Sequence, residues 1–298
     1  MPSSRWPRRI APVCEVAITC DMNPFRPLSD RDRPQGDARS PGDQPSPGDQ
    51  RAPGDQRAPG EVAADGAIAP AAATPPASAI VWHEPSVGWE DRERRLGQRG
   101  VVVWFTGLSG CGKSTVANEL DRQLQALGAA TMLLDGDNIR HGLCAPPERL
   151  AEEYGPDFAE RFGLGFGPTD RQENLRRVAA VATLMASAGL ITLTAFVSPY
   201  RRDRDRVRRT VEASGRPGDF FEVFVDTPLS VCEARDPKGL YRRARAGEIR
   251  HFTGISDPYE PPPTPEIRLD GGRGLPAETL AEQVLDVLRD RGVLGPNG

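Results

Sequence analysis

Between a hydrophobic strand pattern and an amphipathic helix pattern the chain reads Gly107-Leu108-Ser109-Gly110-Cys111-Gly112-Lys113-Ser114, a G-x-x-x-x-G-K-S run. Glycines at these spacings let successive backbone N–H groups turn inward around phosphate oxygens, and the following helix adds the positive end of its dipole. The expected nucleotide cradle is therefore Gly107, Leu108, Ser109, Gly110, Cys111, Gly112, Lys113, Ser114 and Thr115, with Lys113 reaching the β- and γ-phosphates and Ser114 ligating Mg2+. Such a loop works only as the link from a parallel strand to a helix. It implies a nucleoside triphosphate and leaves the acceptor open. Cys111 stands at a variable position of the loop and reads as a tolerated small residue, not a redox switch.

The flanking sequence agrees. From Val101 onward, short β-rich runs alternate with longer helical patterns, the mark of βαβ units. The spacing predicts strands at Val101–Thr106, Thr131–Asp135, Ile191–Val197, Phe220–Asp226 and Ile267–Asp270. It predicts helices at Ser114–Leu127, Asp170–Ala188 and Pro276–Arg289, the second opened by a Thr169/Gln172 capping box. The expected fold class is α/β, with three layers, a five-stranded parallel sheet and helices on both faces.

Composition limits where that fold can lie. Residues 1–79 hold 14 of the 30 prolines and only two aromatics, Trp6 and Phe25. A segment so poor in large apolar groups cannot offset the entropy of ordering its backbone, so the expectation is a disordered tail over 1–79 and a folded domain over 80–298. Within the tail Pro-Gly-Asp-Gln recurs every six residues from Pro41, without an apolar position, which reads as linker. The net charge of −4 argues against a nucleic-acid partner, and no run of apolar residues is long enough to span a membrane. Five cysteines without a CxxC pair suggest neither a disulfide framework nor a zinc site. The basic start Arg5, Arg8, Arg9 precedes an apolar stretch that Glu15 interrupts, so no signal peptide is expected and the localisation read is cytoplasmic.

Chemistry beyond the loop gathers where open α/β sheets bind ligands, at the C-terminal strand edge. Asp135 and Asp137 close the second strand, one suited to ordering Mg2+ waters and the other to accepting a proton from an attacking hydroxyl. Arg171 and Asn174, three apart in a first helical turn, share a face, and Arg140 adds a second fork for an anion. The basic stretch Arg235–Arg250 follows the fourth strand as a lid, while Asp226 reads as structural.

In order along the chain stand Trp82-His83, Trp104-Phe105-Thr106-Gly107-Leu108-Ser109-Gly110, Leu134-Asp135-Gly136-Asp137-Asn138-Ile139-Arg140-His141-Gly142-Leu143, Asp170-Arg171-Gln172-Glu173-Asn174-Leu175-Arg176-Arg177, Phe196-Val197-Ser198-Pro199-Tyr200, Arg235-Asp236-Pro237-Lys238-Gly239-Leu240-Tyr241 and Phe252-Thr253-Gly254. Over roughly Ile80 to Val293 the chain thereby resembles the adenylyl-sulfate kinases, which use ATP to phosphorylate the 3′-hydroxyl of adenosine 5′-phosphosulfate (APS). The resemblance implies a P-loop nucleotide-kinase fold with a lid, Mg2+ with ATP as co-substrate, and PAPS and ADP as products in sulfate assimilation. It implies Arg140, Arg171 and Asn174 on the phosphosulfate and ribose, and Phe166 and Phe252 sandwiching the adenine. Ser198 and Lys238 fall on the substrate side, Arg235 on ATP, and Asp137 is base or Mg2+ organiser beside Lys113 and Asp135. Ser198 is expected to hydrogen-bond, not to carry a phosphoryl group.

The resemblance allows a homodimer and an ATP sulfurylase partner; the length leaves no room for a sulfurylase-sized domain in the same chain. A kinase for another small hydroxyl metabolite and a silent nucleotide-binding partner are the rivals, and intact Lys113, Ser114, Asp135 and Asp137 argue against silence. One stretch departs from the family pattern. Cys144–Gly163 stands where family members usually have a few residues, with Leu150, Tyr154, Phe158 and Phe162 at helical spacing broken by Gly155-Pro156, and it runs directly into Phe166. The family's usual serine after that phenylalanine is Gly167 here.

Overall fold

A computed structural model describes His83 and residues 85–295. The expected tail, its repeat and the domain start at Ile80–Trp82 lie outside the described residues. The sheet is built around β1 (Val101–Thr106), whose six residues are all buried, as a strand covered on both faces must be. Its neighbours are β3 (Ile191–Ala195) and β4 (Phe220–Asp226), with β2 (Thr131–Asp135) beyond β3 and β5 (Ile267–Asp270) beyond β4, all parallel in the order β2-β3-β1-β4-β5.

The pleat of β1 sorts the core into two halves. Val101, Val103 and Phe105 pack with Val116, Leu120 and Leu124 of α2 (Lys113–Ala126) and with Val284 and Leu288 of α9 (Ala277–Asp290). Val102 and Trp104 face the other way, onto Leu175, Val178 and Ala182 of α5 (Pro168–Ser187) and Val207 and Val211 of α6 (Arg201–Ser214). Four strands keep their predicted bounds. The third stops at Ala195 and not Val197, because the Thr106 hydroxyl takes the Val197 carbonyl (2.9 Å) and Ser198 enters the left-handed region at φ 38°.

The start of α5 is also corrected. Gly167 is its N-cap and Pro168 its first residue, with the Gly167 N–H donating to Asp170 Oδ2 (3.1 Å), so the expected Thr169/Gln172 box does not form. Proline suits the first helical position, and an acceptor three residues after Gly167 completes the cap one turn-step earlier. The inserted stretch folds into two short helices, α3 (Pro147–Tyr154) and α4 (Pro156–Phe162), parted at Gly155, whose φ of 88° only glycine adopts cheaply. Its base is closed by Leu164 N–H to Ala145 O (3.0 Å) and by Arg177, which reaches the carbonyls of Leu143 (3.0 Å) and Phe162 (3.2 Å). Tyr154, Phe158 and Phe162 form an exposed aromatic ladder with centroids 4.8 and 4.6 Å apart. Before the sheet, α1 (Trp89–Leu96) is moored where Gly100 N–H donates to Glu93 Oε1 (2.9 Å).

Candidate active site

The C-terminal ends of the strands open into one cleft of about 850 Å³, near the upper end of the roughly 300–1,000 Å³ usual for small-molecule sites. At one end lies the loop between β1 and α2. Gly107 has φ 149°, and a Cβ there would stand 2.8 Å from both Cys111 Sγ and the Val225 carbonyl, so the turn requires glycine. Lys113 is buried, with Nζ donating to the carbonyls of Gly107 (2.9 Å) and Leu108 (2.7 Å), which keeps the ammonium at the mouth of the cradle. The loop is braced from behind: the Cys111 carbonyl accepts from Thr227 Oγ1 (3.1 Å) and Arg235 Nη1 (3.5 Å), and Arg235 Nη2 also donates to Gly271 O (2.9 Å).

Across the cleft, β2 ends at Asp135, whose Oδ1 accepts the Asp137 N–H (3.0 Å). Its Oδ2 is buried without a hydrogen-bond partner among the described residues, a costly state for a carboxylate oxygen unless a cation or its waters meet it. Asp135 and Ser114 both line the cleft, so the donor set fits an oxygen-preferring divalent ion held partly through water. Asp137 is exposed and ion-paired with Lys238 of the lid. The lid comprises α7 (Leu229–Arg235), α8 (Leu240–Arg245) and the loop to Asp257. Two of its arginines are engaged with acids, Arg245 with Glu233 (2.6 Å) and Arg243 with Glu248 (3.1 Å).

The other end of the cleft is aromatic and cationic. Arg140, on the 3-10 turn Asn138–His141, donates to the carbonyls of Leu164 (3.0 Å) and Gly165 (3.2 Å), and its guanidinium lies 4.0 Å from the centroid of the Phe166 ring. Phe166 is 62% exposed, a platform held from one side only. Arg171 is anchored by Thr253 Oγ1 and Asp257 Oδ2 (3.2 Å each) and by the His251 carbonyl. Asn174 is buried in the cleft wall, and the Phe252 ring makes a T-shaped contact with Tyr241 at 5.0 Å. Ser198 lines the cleft but turns its hydroxyl inward, donating to Thr106 Oγ1 (2.9 Å) and accepting from Trp104 Nε1 (3.1 Å).

Of the residues expected from sequence, Ser109, Gly110, Gly112, Lys113, Ser114 and Thr115 line the cleft on the phosphate side. Asp135, Asp137, Arg140, Phe166, Arg171, Asn174, Ser198, Lys238 and Phe252 line the rest. Gly107, Leu108 and Cys111, within the loop, and Arg235, which braces it from behind, do not line the cleft. Asp226 bonds Arg268 (Nε, 3.0 Å), a structural role. Sequence reasoning passed over Thr253, Asp257 and Tyr241. The first two hold Arg171, and the Tyr241 hydroxyl donates to the Ser109 carbonyl (2.9 Å). All three sit in or beside motifs quoted above, but their partners are far away in sequence. Burial pushes the Cys144 and Cys232 thiols up to about 11, so both are inert thiols at neutral pH.

Comparison with known proteins meets this geometry. A family model described as adenylylsulphate kinase matches residues 99–151 and 159–270, breaking inside the inserted helices, and a repeat of unknown function matches residues 36–62. The adenylyl-sulfate kinase of Rhodopirellula baltica is 68% identical over 217 residues, 73% of this chain and 88% of that protein. The adenylyl-sulfate kinase of Citrobacter koseri is 52% identical over 215 residues, 72% of this chain and 96% of that protein. Among solved structures, the APS kinase CysC of Mycobacterium tuberculosis in complex with AMPPNP and APS is 47% identical with a TM-score of 0.55, covering 64% of this chain and 99% of that one. With likeness of this depth running through the strands, the phosphate loop and the cleft they share, the chain belongs to the adenylylsulphate kinase family.

Proposed function

We propose that this chain transfers the γ-phosphoryl group of ATP to the 3′-hydroxyl of APS, giving PAPS and ADP. The observation that carries the reading is the union, in one cleft, of a phosphate loop with paired carboxylates and a second, aromatic and cationic pocket. That arrangement suits two nucleotides facing each other. The ATP phosphates lie against the loop from Ser109 to Thr115, and the Lys113 ammonium exchanges the Gly107 and Leu108 carbonyls for phosphate oxygens. Adenine of the acceptor lies between Phe166 and Phe252, with Arg171 and Asn174 on its phosphosulfate and ribose and Arg140 holding the Phe166 loop beside them. Asp137, released from Lys238, accepts the hydroxyl proton. The acceptor oxygen bonds to the γ-phosphorus as the bridging P–O bond breaks, and that electron pair leaves on ADP. Ser114 and Asp135 would hold Mg2+, which would supply charge neutralisation on the triphosphate.

The two ligands of this reading are ATP and APS, the latter made by an ATP sulfurylase that would act upstream. No helix among the described residues is long and apolar enough to cross a membrane, and we place the chain in the cytoplasm, where its nucleotide substrate is available. The decisive experiment measures ADP release by purified protein with ATP, Mg2+ and APS, against adenosine 5′-monophosphate in place of APS. Turnover that is indifferent to the acceptor would overturn the reading.

A further inference from the structure

We infer that Tyr241 is a positioning residue that joins the phosphate loop to the aromatic platform, so that the two ligand pockets are set by one side chain. Its place in the fold is firm. Tyr241 lies in the first turn of α8 and is 2% exposed. That turn is pinned by Asp236, whose Oδ1 accepts the Tyr241 N–H and Oδ2 the Arg242 N–H (3.1 Å each). From there the side chain does two things at once. Its hydroxyl donates to Ser109 O at 2.9 Å, and its ring meets that of Phe252 in a T-shaped contact, with centroids 5.0 Å apart and planes at 80°.

The first contact acts on the cradle through peptide planarity. In a trans peptide the carbonyl of one residue and the N–H of the next point in opposite directions, so a donor that fixes Ser109 C=O also fixes the N–H of Gly110. Gly110 has φ 71° and no side chain to hold that plane, and its neighbouring wall is the Cys232 carbonyl. The Tyr241 hydroxyl therefore sets the aim of a cradle N–H that no side chain of the loop itself sets. The second contact fixes the tilt of the Phe252 ring, since edge-to-face geometry prefers one arrangement. Burial drives the hydroxyl's pKa up, which keeps it a protonated donor throughout the neutral range.

The inference rests on the proposed function only for the identity of the second ligand. Calorimetry on the full chain separates the two halves, with AMPPNP and APS titrated individually into wild type, Tyr241→Phe, and Tyr241→Leu or Tyr241→Met. Tyr241→Phe keeps the ring and removes one neutral hydrogen bond, so the Kd for AMPPNP is expected to rise about two- to tenfold while that for APS stays within twofold. Whichever apolar variant melts cooperatively is expected to weaken APS as well, by threefold or more, because the T-shaped ring contact is gone. Unchanged AMPPNP affinity in Tyr241→Phe, or equal weakening of both ligands in that variant, overturns the inference, as does undiminished APS binding by the apolar variant. A merely structural role would lower Tm without this split. Should wild type bind AMPPNP but not APS, the proposed acceptor fails, while the AMPPNP arm still judges the tyrosine's hold on the loop.

Discussion

Single side chains in this cleft do work that their position in the sequence announces only in part. Lys113 and Asp137 were legible because a motif and a strand end place them. Lys113→Ala is expected to lower kcat at least about a hundredfold, as the loss of one charge-stabilising donor does, with Tm little changed since its head group bonds only within the loop, to two carbonyls and the Cys111 sulfur. Asp137→Asn should lose about 10²–10⁴ in kcat with the fold intact, because the carboxylate is exposed and its one partner is a lid lysine. Wild-type turnover in either variant would remove that residue from the reaction. Arg140 was legible as a charge at the sheet edge but not as the support of Phe166. The carbonyls it grips belong to Leu164 and Gly165, beyond an insertion whose path no local pattern reveals. Base–aromatic stacking contributes about 1–3 kcal/mol per contact, so Phe252→Ala is expected to weaken APS binding about tenfold or more in titration calorimetry, with a smaller effect on ATP. Phe166→Ala should do the same, its ring being presented to the cleft by the guanidinium beneath it.

Elements were read most securely where burial imposes a period. Every residue of β1 and β3 and almost all of β4 is buried, and such runs are continuous in sequence; β2 and β5, only partly buried, keep their predicted bounds as well. Ends governed by a single side-chain bond escaped, as at Val197 and at the start of α5. On α5, Glu173 bonds Arg176 (2.7 Å) and Arg177 (2.9 Å), and Arg177 in turn holds the base of the inserted helices. The Arg176 hydrogen bond is the main cause that brings the Glu173 carboxyl down to about 2, against burial that raises it and with Arg177 adding to the fall. A depressed folded-state pKa gives stability that is fully present above the unfolded value of about 4.3 and is lost as pH falls toward 2. Solvent screening of this partly exposed cluster limits the contribution to about 1 kcal/mol. Glu173→Gln is therefore expected to lower Tm by a few degrees at pH 7, and the gap from wild type should close as pH is lowered from about 4.3 to 2. A gap that persists unchanged at pH 2 would assign the loss to packing.

At the scale of the whole molecule, fold class and the gathering of chemistry at one sheet edge were legible, while the strand order was not, because parallel pairing depends on contacts between segments far apart in the chain. Among the described residues, the buried members of the two core clusters lie within 101–293, with Trp89 and Leu294 packed against them. Deleting residues 1–79 is accordingly expected to leave Tm within about 2 °C and kcat/KM within twofold; a larger fall in a melting curve or in steady-state rates would show that the segment supports the domain.

The central place of β1 has a further consequence. A strand bonded on both sides and covered on both faces can open only when the sheet itself separates, whereas the outer edge of the lid, where Lys238 meets Asp137 only through an exposed ion pair, can open alone. The amide protons of Val102–Phe105 should thus be among the last to exchange with solvent, at the free energy of global unfolding, while those of Ala246–Glu248 on the exposed lid edge exchange through local opening. The phosphate loop inherits both regimes. Its root is anchored in the slowest-exchanging part of the protein and its rim belongs to the fastest, so a bound nucleotide would report, in its own dissociation rate, the opening of the lid and not the breathing of the sheet.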